Sequence, residues 1–107
     1  MGYVRVKAFV GDAHKKKVME AVFLVDTGSF YPVIPPNIAK ELGIEPLAKT
    51  EIVLADGRRA SVDVSLAIFK VLDREGIFPI IIMDSPEPLL GVVVLEGLGV
   101  RVDPVTG

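Results

Sequence analysis

The chain has 107 residues, half of them hydrophobic, with a net charge of −2, one histidine and no cysteine. Without cysteine there is no disulfide, no thiolate nucleophile and no cysteine-ligated metal, and one histidine builds neither a metal cluster nor a convincing Ser-His-Asp triad. The charge balance offers nucleic acid no basic stripe, and the most apolar run, Ile77 to Met83, contains Pro79 and falls far short of the roughly 20 residues a membrane span needs.

No stretch resembles a signal peptide or a myristoylation signal, so the expectation is a soluble, cytoplasmic protein that binds neither nucleic acid nor membrane and carries no cofactor and no metal. One domain is expected over residues 1–107, because no linker, repeat or low-complexity segment divides them. A core of this size is thin, and burying apolar surface against a second chain would help it.

In chain order, Val4, Val6 and Ala8 alternate with Arg5 and Lys7 and predict a half-buried strand. Gly11-Asp12 opens a polar loop that holds His14, a solvated residue, and Lys15-Lys16-Lys17, whose charges discourage pairing at a sheet edge. Val18 to Val25 returns as a second strand, apolar on both faces at Phe23-Leu24-Val25 and hence deeply buried there. Pro35 to Gly43 predicts a short helix: proline suits the first turn, Ile38, Ala39 and Leu42 share a face, and Gly43 can end it. Glu51 to Ala55 and Arg59 to Val71 flank Asp56-Gly57, a strong hairpin signal. In the second arm Val62, Val64, Leu66 and Ile68 alternate with Ser61, Asp63, Ser65 and Ala67. Phe78 to Met83 predicts another buried strand, separated by Pro86 and Pro88 from Leu89-Leu90-Gly91. For residues 92–98 the β-branched run Val92-Val93-Val94 favours a strand on local propensity. Val100-Arg101-Val102 predicts a short edge or interface strand. The fold class is all-β, with one or two short helices.

The feature that carries chemistry is an apolar strand ending abruptly in Asp26-Thr27-Gly28-Ser29. By composition alone Asp-Thr-Gly arises in a chain of this length about 2% of the time. Taken alone it also fits a strand-ending turn in which Asp26 bonds the backbone. The order of several features decides between the two: apolar strand, tetrad, Val33-Ile34, the Asp56-Gly57 hairpin, a second apolar strand, then Leu89-Leu90-Gly91.

With that order the sequence resembles the retropepsin-like aspartic proteases, the single-domain relatives of the retroviral enzymes found also in bacteria and archaea. The resemblance runs from about Val4 to Val102. It implies a closed, barrel-like acid protease fold, one half of a pepsin-like bilobed enzyme, and a homodimer that hydrolyses peptide or protein substrates. Asp26 would be the catalytic carboxylate. Two carboxylates about 3 Å apart cannot both ionise cheaply, so they share a proton and serve as base and acid together; with one tetrad per chain, the second must come from another copy.

The resemblance also gives the neighbours tasks. Thr27 would bond across to the partner's loop, and Gly28 would let its N–H approach a carboxylate. Ser29 would donate to an outer carboxylate oxygen, favouring the ionised form and a more acidic pH optimum. Ala55, Asp56, Gly57 and Arg58 would form a flap over an extended substrate; Arg58 and Arg59 beside its tip read as solvated charges, with a preference for acidic substrate side chains as the lesser alternative. Leu89, Leu90 and Gly91 would pack behind the catalytic loop and start a short helix over residues 92–98, against local propensity. Retroviral members place Gly-Arg-Asn/Asp at that helix start, where this chain has Gly91-Val92-Val93. A second reading is a retropepsin-like dimerisation or peptide-binding module with little or no proteolysis. A metal hydrolase finds no support, since Asp26, Asp56, Asp63, Asp73, Asp84 and Glu87 have no ligand-spaced histidines.

Overall fold

The structure, a computed structural model, describes residues 4–26, 28–54 and 56–99. Thr27, Ala55 and the strand expected at Val100-Arg101-Val102 lie outside the described residues. The elements are β1 (Arg5–Asp12), β2 (Val18–Val25), β3 (Val33–Ile34), α1 (Pro36–Glu41), β4 (Ala48–Val53), β5 (Arg59–Val71), β6 (Arg74–Ile82), β7 (Leu89–Leu90) and α2 (Val92–Leu98).

Among the described residues seven strands form one sheet in the order β1-β2-β7-β3-β6-β5-β4, and β1 also pairs with β5. The pairings therefore run in a closed circuit from β1 through β2, β7, β3, β6 and β5 back to β1. This agrees with the expected closed, barrel-like architecture. Strand β5 makes closure possible by sharing one edge: residues 59–64 pair with β4 and residues 67–70 with β1, while the other edge takes β6. Strand β4 lies outside the circuit and projects with the start of β5 as a hairpin.

The two long hairpins have different turns. Between β1 and β2, the Asp12 carboxylate accepts the N–H groups of Lys17 at 2.7 Å and His14 at 3.2 Å. The Lys17 N–H is the main reason that the Asp12 carboxyl sits below its ordinary value of 3.8. What this contributes to stability is present above the ordinary carboxylate value and is lost as the pH falls through the depressed one. The lysines of this loop are exposed, and Lys15 pairs with Glu75 at 2.6 Å.

Between β5 and β6 the chain turns on Leu72-Asp73, with Val71 opposite Arg74. The β6 strand thus begins at Arg74, earlier than its apolar part suggests, because Arg74, Glu75 and Gly76 carry no strand signal of their own. Leu72 is 80% exposed and holds φ at 58°, a left-handed conformation that costs a non-glycine residue about 1–2 kcal/mol and that asparagine tolerates better. Leu72→Asn is expected to raise the melting temperature by a few degrees, about 0.5–1 kcal/mol; a thermal melt that falls would contradict it.

The main core lies on one face of the sheet. Phe23 and Phe69 meet edge to face at 5.8 Å and are fully buried with Val10, Ile34, Ile80, Leu90 and Val94. Each such side chain contributes about 1.5–3 kcal/mol by leaving water. In β5 the core face is Ser65, Ala67, Phe69 and Val71, and Leu66 is exposed. The apolar positions Val62 and Val64 face the other side, in a second, smaller cluster with Val33 and Ile81. The alternation in β5 thus marks two apolar surfaces on opposite faces. Ser65, buried, satisfies its hydroxyl by donating to the Glu45 carbonyl at 2.7 Å.

Both helices form as expected. Pro36 begins α1 and Gly43, at φ 71°, follows its end. In α2, Val94, Leu95 and Leu98 are buried, and Gly99 ends it at φ 65°. Arg74 reaches from β6 to donate to the Leu98 and Gly99 carbonyls at 2.9 and 2.7 Å, which lack partners within the helix. Among the described residues no helix is long and apolar enough to cross a membrane.

Candidate active site

Asp26 follows the last residue of β2 and is held from both sides. On one side β7 runs parallel to β2, Leu24 opposite Leu89 and Val25 opposite Leu90. There the Leu24 N–H donates to Pro88 at 3.0 Å, and the Asp26 N–H donates to Leu90 at 3.1 Å. On the other side the Val25 N–H donates to Val4 at 2.8 Å. An apolar strand locked along both edges thus delivers one half-buried carboxylate at its end.

The chain then turns on that carboxylate. The Gly28 N–H donates to Oδ1 at 3.0 Å, and the Ser29 N–H to the Asp26 carbonyl at 3.1 Å. A side chain at position 28 would place its Cβ only 3.2 Å from Oδ1, so glycine keeps the approach open. The Ser29 hydroxyl is engaged elsewhere: it donates to the Tyr31 carbonyl at 2.8 Å. Its one proton is therefore directed into the loop, which corrects the expected bond to the carboxylate. Ser29→Ala is accordingly expected to cost about 1 kcal/mol of stability and to leave the pH optimum of any activity in place. A shift of that optimum by a full unit would restore the direct bond.

The loop rests on Leu89-Leu90-Gly91 and on the start of α2. Strand β7 also pairs with β3, Val33 opposite Leu89, so it bridges the strands before and after the loop. The first N–H groups of a helix have no partner within it. Here those of Val92 and Val93 donate to the Ser29 and Phe30 carbonyls at 3.0 and 2.9 Å. Gly91 makes the contact possible: a Cβ there would stand 2.5 Å from the carbonyl carbon of Tyr31 and 2.6 Å from the carbonyl oxygen of Phe30. The hydrophobic-hydrophobic-glycine triplet and the tetrad loop are thus one packed unit.

The expected flap is the β4–β5 hairpin. The last paired residues are Val53 and Arg59, and the tip lies beyond them. It is closed by Leu54 N–H to Arg58 carbonyl at 2.7 Å and Gly57 N–H to Leu54 carbonyl at 2.9 Å, with Gly57 at φ 87°. Asp56 staples it, accepting the Arg58 N–H at 3.0 Å and the Arg58 Nε at 2.6 Å. These two contacts, the backbone one first, hold the Asp56 carboxyl below its ordinary 3.8. The staple therefore stays charged in mild acid and is lost only as the pH falls through that depressed value. Arg59 lies 3.6 Å from Glu51. Both arginines thus pair with acids of the same hairpin.

Two exposed aromatics follow the tetrad and were not singled out by sequence. Phe30 and Tyr31 are 57% and 39% exposed, with rings edge to face at 4.9 Å. Their signal was in plain view: the chain has only seven aromatic residues, and these two adjoin the loop. Among the described residues no group of three or more His, Asp or Glu side chains is placed to hold a metal ion.

The family model described as aspartyl protease matches residues 7–94, from β1 through the tetrad to the first turn of α2. Among solved structures, the EIAV protease complexed with the inhibitor HBY-793 matches with a TM-score of 0.69 and 20% identity, over 95% of this chain and 93% of that one. A likeness at that identity is one of fold. No curated protein matches the chain in sequence.

Proposed function

The chain belongs to the aspartyl protease family and has a retropepsin-like fold, and from that premise we propose that it is a homodimeric aspartic endopeptidase cutting extended peptides. The observation that carries the reading is the setting of Asp26: one carboxylate per chain, at a strand end, on a loop clamped by β7 and α2. A two-fold axis beside that loop would set two such carboxylates together and make an isologous interface. Neither chain alone would have the second acid–base group.

In the proposed reaction the pair shares one proton. The ionised carboxylate takes a proton from water as the oxygen attacks the scissile carbonyl carbon, and the protonated one donates to the carbonyl oxygen. The result is a neutral tetrahedral diol. Its collapse breaks the C–N bond while one carboxyl protonates the departing nitrogen. The other carboxylate recovers a proton from the diol, leaving an acid, an amine and a dyad holding one proton again. The β4–β5 hairpin would cover the substrate and exclude water.

Cleavage of a denatured protein between about pH 3 and 7, blocked by a statine-type inhibitor that mimics the diol, is the expected result. The inhibitor should saturate at about one molecule per two chains. Cleavage that ignores the inhibitor, or one inhibitor per chain, would overturn the reading, and a dimer that binds peptides without cutting them would make this a binding module.

A further inference from the structure

We propose that the outer face of strands β1, β2, β5 and β6 docks an acidic segment of another protein, which seats one large apolar side chain in the cavity over Ile68. The inference stands apart from the reading of Asp26. The face centres on Val18, which opens β2, whereas Asp26 follows the last residue of that strand.

The first observation is which side chains the strand register brings together. Gly11 stands between Val18 and Ile68, and Ile68 is opposite Ile77. In the next row of the same face Phe9 stands between Glu20 and Lys70, and Lys70 is opposite Glu75. The alternate residues Ala8, Val10, Ala67 and Phe69 belong to the main core, so both rows point to its far side. Ile68 is only 8% exposed although it belongs to neither apolar cluster. Phe9, Val18 and Ile77 around it are 43%, 47% and 52% exposed. This is an apolar surface that the fold itself leaves uncovered.

The second observation is the space above that surface. A cavity of about 280 Å³ is lined by Phe9, Lys15, Val18, Ile68, Lys70 and Glu75. Small-molecule pockets run to roughly 300–1,000 Å³, so this one suits a single anchoring side chain better than a whole cofactor. A few such anchors, seated in pockets, carry most of the energy of a protein interface. A leucine or phenylalanine would lie on Ile68 with Phe9 and Val18 beside it.

The third is charge, and it selects the occupant. Of the two lysines lining the cavity, Lys15 bonds Glu75 at 2.6 Å, while Lys70 has no carboxylate partner among the described residues. Lys7 projects from the same face two positions before Phe9, and Lys16 and Lys17 stand exposed in the adjoining turn. Against them the face sets Glu20 and Glu75, and the Asp12 carboxylate is committed to the N–H groups of Lys17 and His14. A positive rim thus surrounds an apolar floor, on a chain whose net charge is −2. Aspartate or glutamate on either side of an apolar anchor complements that rim. A second copy of this chain would set the same lysines against these, so like charges oppose a symmetric contact.

The test uses the full-length protein carrying Asp26→Asn, so that no probe is cut, and a fluorescent peptide with Asp-Glu-Phe-Glu-Asp at its centre. Saturable binding is expected at low salt, weaker as the ionic strength rises. Serine in place of the phenylalanine should weaken it about tenfold, and lysines in place of the acids should abolish it. In the protein, Phe9→Ser should cost about tenfold and Lys70→Gln about fivefold. Lys40→Gln, the same change of charge on α1, should leave binding within about twofold. Glu75→Gln should strengthen it several-fold, since it removes a negative charge and releases Lys15. Lys70, Lys40 and Glu75 are all exposed, so their variants decide the matter if Phe9→Ser does not fold.

Equal binding of the serine peptide removes the apolar anchor and overturns the site. Equal loss in Lys40→Gln and Lys70→Gln reduces the attraction to net charge and overturns it as well. Binding that ignores Phe9→Ser and Lys70→Gln lies elsewhere on the chain, and no binding at all sinks the proposal outright. Phosphatidylserine vesicles captured through Phe9 and Lys70, with no peptide bound, would make the face a lipid contact instead. Self-association lost in Phe9→Ser would put a second copy there and overturn the acidic partner. None of these results bears on peptide cleavage, so the protease reading stands or falls separately.

Discussion

Asp26→Asn is expected to lower kcat/KM for peptide cleavage by about a thousand-fold or more, with a melting temperature within about 2 °C of wild type. The fold should survive because the replacement keeps what the loop uses. An asparagine Oδ1 can still accept the Gly28 N–H, now at 3.0 Å, and the backbone N–H of residue 26 still donates to Leu90. The chemistry cannot survive, since an amide neither takes a proton from water nor shares one with a carboxylate. A mixing experiment separates the dimer from a monomeric enzyme. If subunits exchange freely, an equal mixture of wild type and Asp26→Asn leaves about a quarter of the dimers with two carboxylates. Activity that falls only to one half would mean that each chain works alone, and activity that survives in pure Asp26→Asn would remove Asp26 from the mechanism.

Gly91→Ala is expected to be the most damaging single methyl group that can be added near the site. Its Cβ would meet the Tyr31 carbonyl carbon at 2.5 Å, the Phe30 oxygen at 2.6 Å and the Tyr31 oxygen at 2.7 Å. All three are backbone atoms of the catalytic loop, so no side-chain rotation relieves the clash. Either α2 or the loop must move, and with it the N–H contacts from Val92 and Val93. Overpacking of this kind costs about 2–3 kcal/mol, so the melting temperature should fall by about 10 °C or more. Activity should be lost even where the protein remains folded. Gly43→Ala is the informative control. It meets nothing within 4 Å but holds φ at 71°, and should cost only about 1–2 kcal/mol. Conformational freedom alone would rank Gly43 as the more sensitive position, because Gly91 has an ordinary φ of −89°. Melts of the two variants at one protein concentration decide between close packing and backbone freedom.

Much of this arrangement was legible in the residues. The strand Val18–Val25, the helix after Pro35 and the tetrad loop follow from local signals. The helix at Val92–Leu98 does not, because three valines favour a strand by propensity. It forms because its first N–H groups find the Ser29 and Phe30 carbonyls and its valine and leucine faces meet the core, contacts some sixty residues apart that no local window contains. The same limit explains the other differences. The Ser29 hydroxyl could be aimed only once Tyr31 had been placed. In β5 the alternation of Val62, Val64, Leu66 and Ile68 was legible, but the phase that faces the main core is Ser65, Ala67, Phe69 and Val71, a choice made by the elements packed around the strand.

If each chain supplies half of the catalytic pair, as proposed, the decisive quantity is the separation of the two Asp26 carboxylates in a crystal structure of the dimer. Nearest oxygens about 3 Å apart are expected, within reach of one shared proton. A well-formed dimer with the two carboxylates more than about 5 Å apart would contradict it.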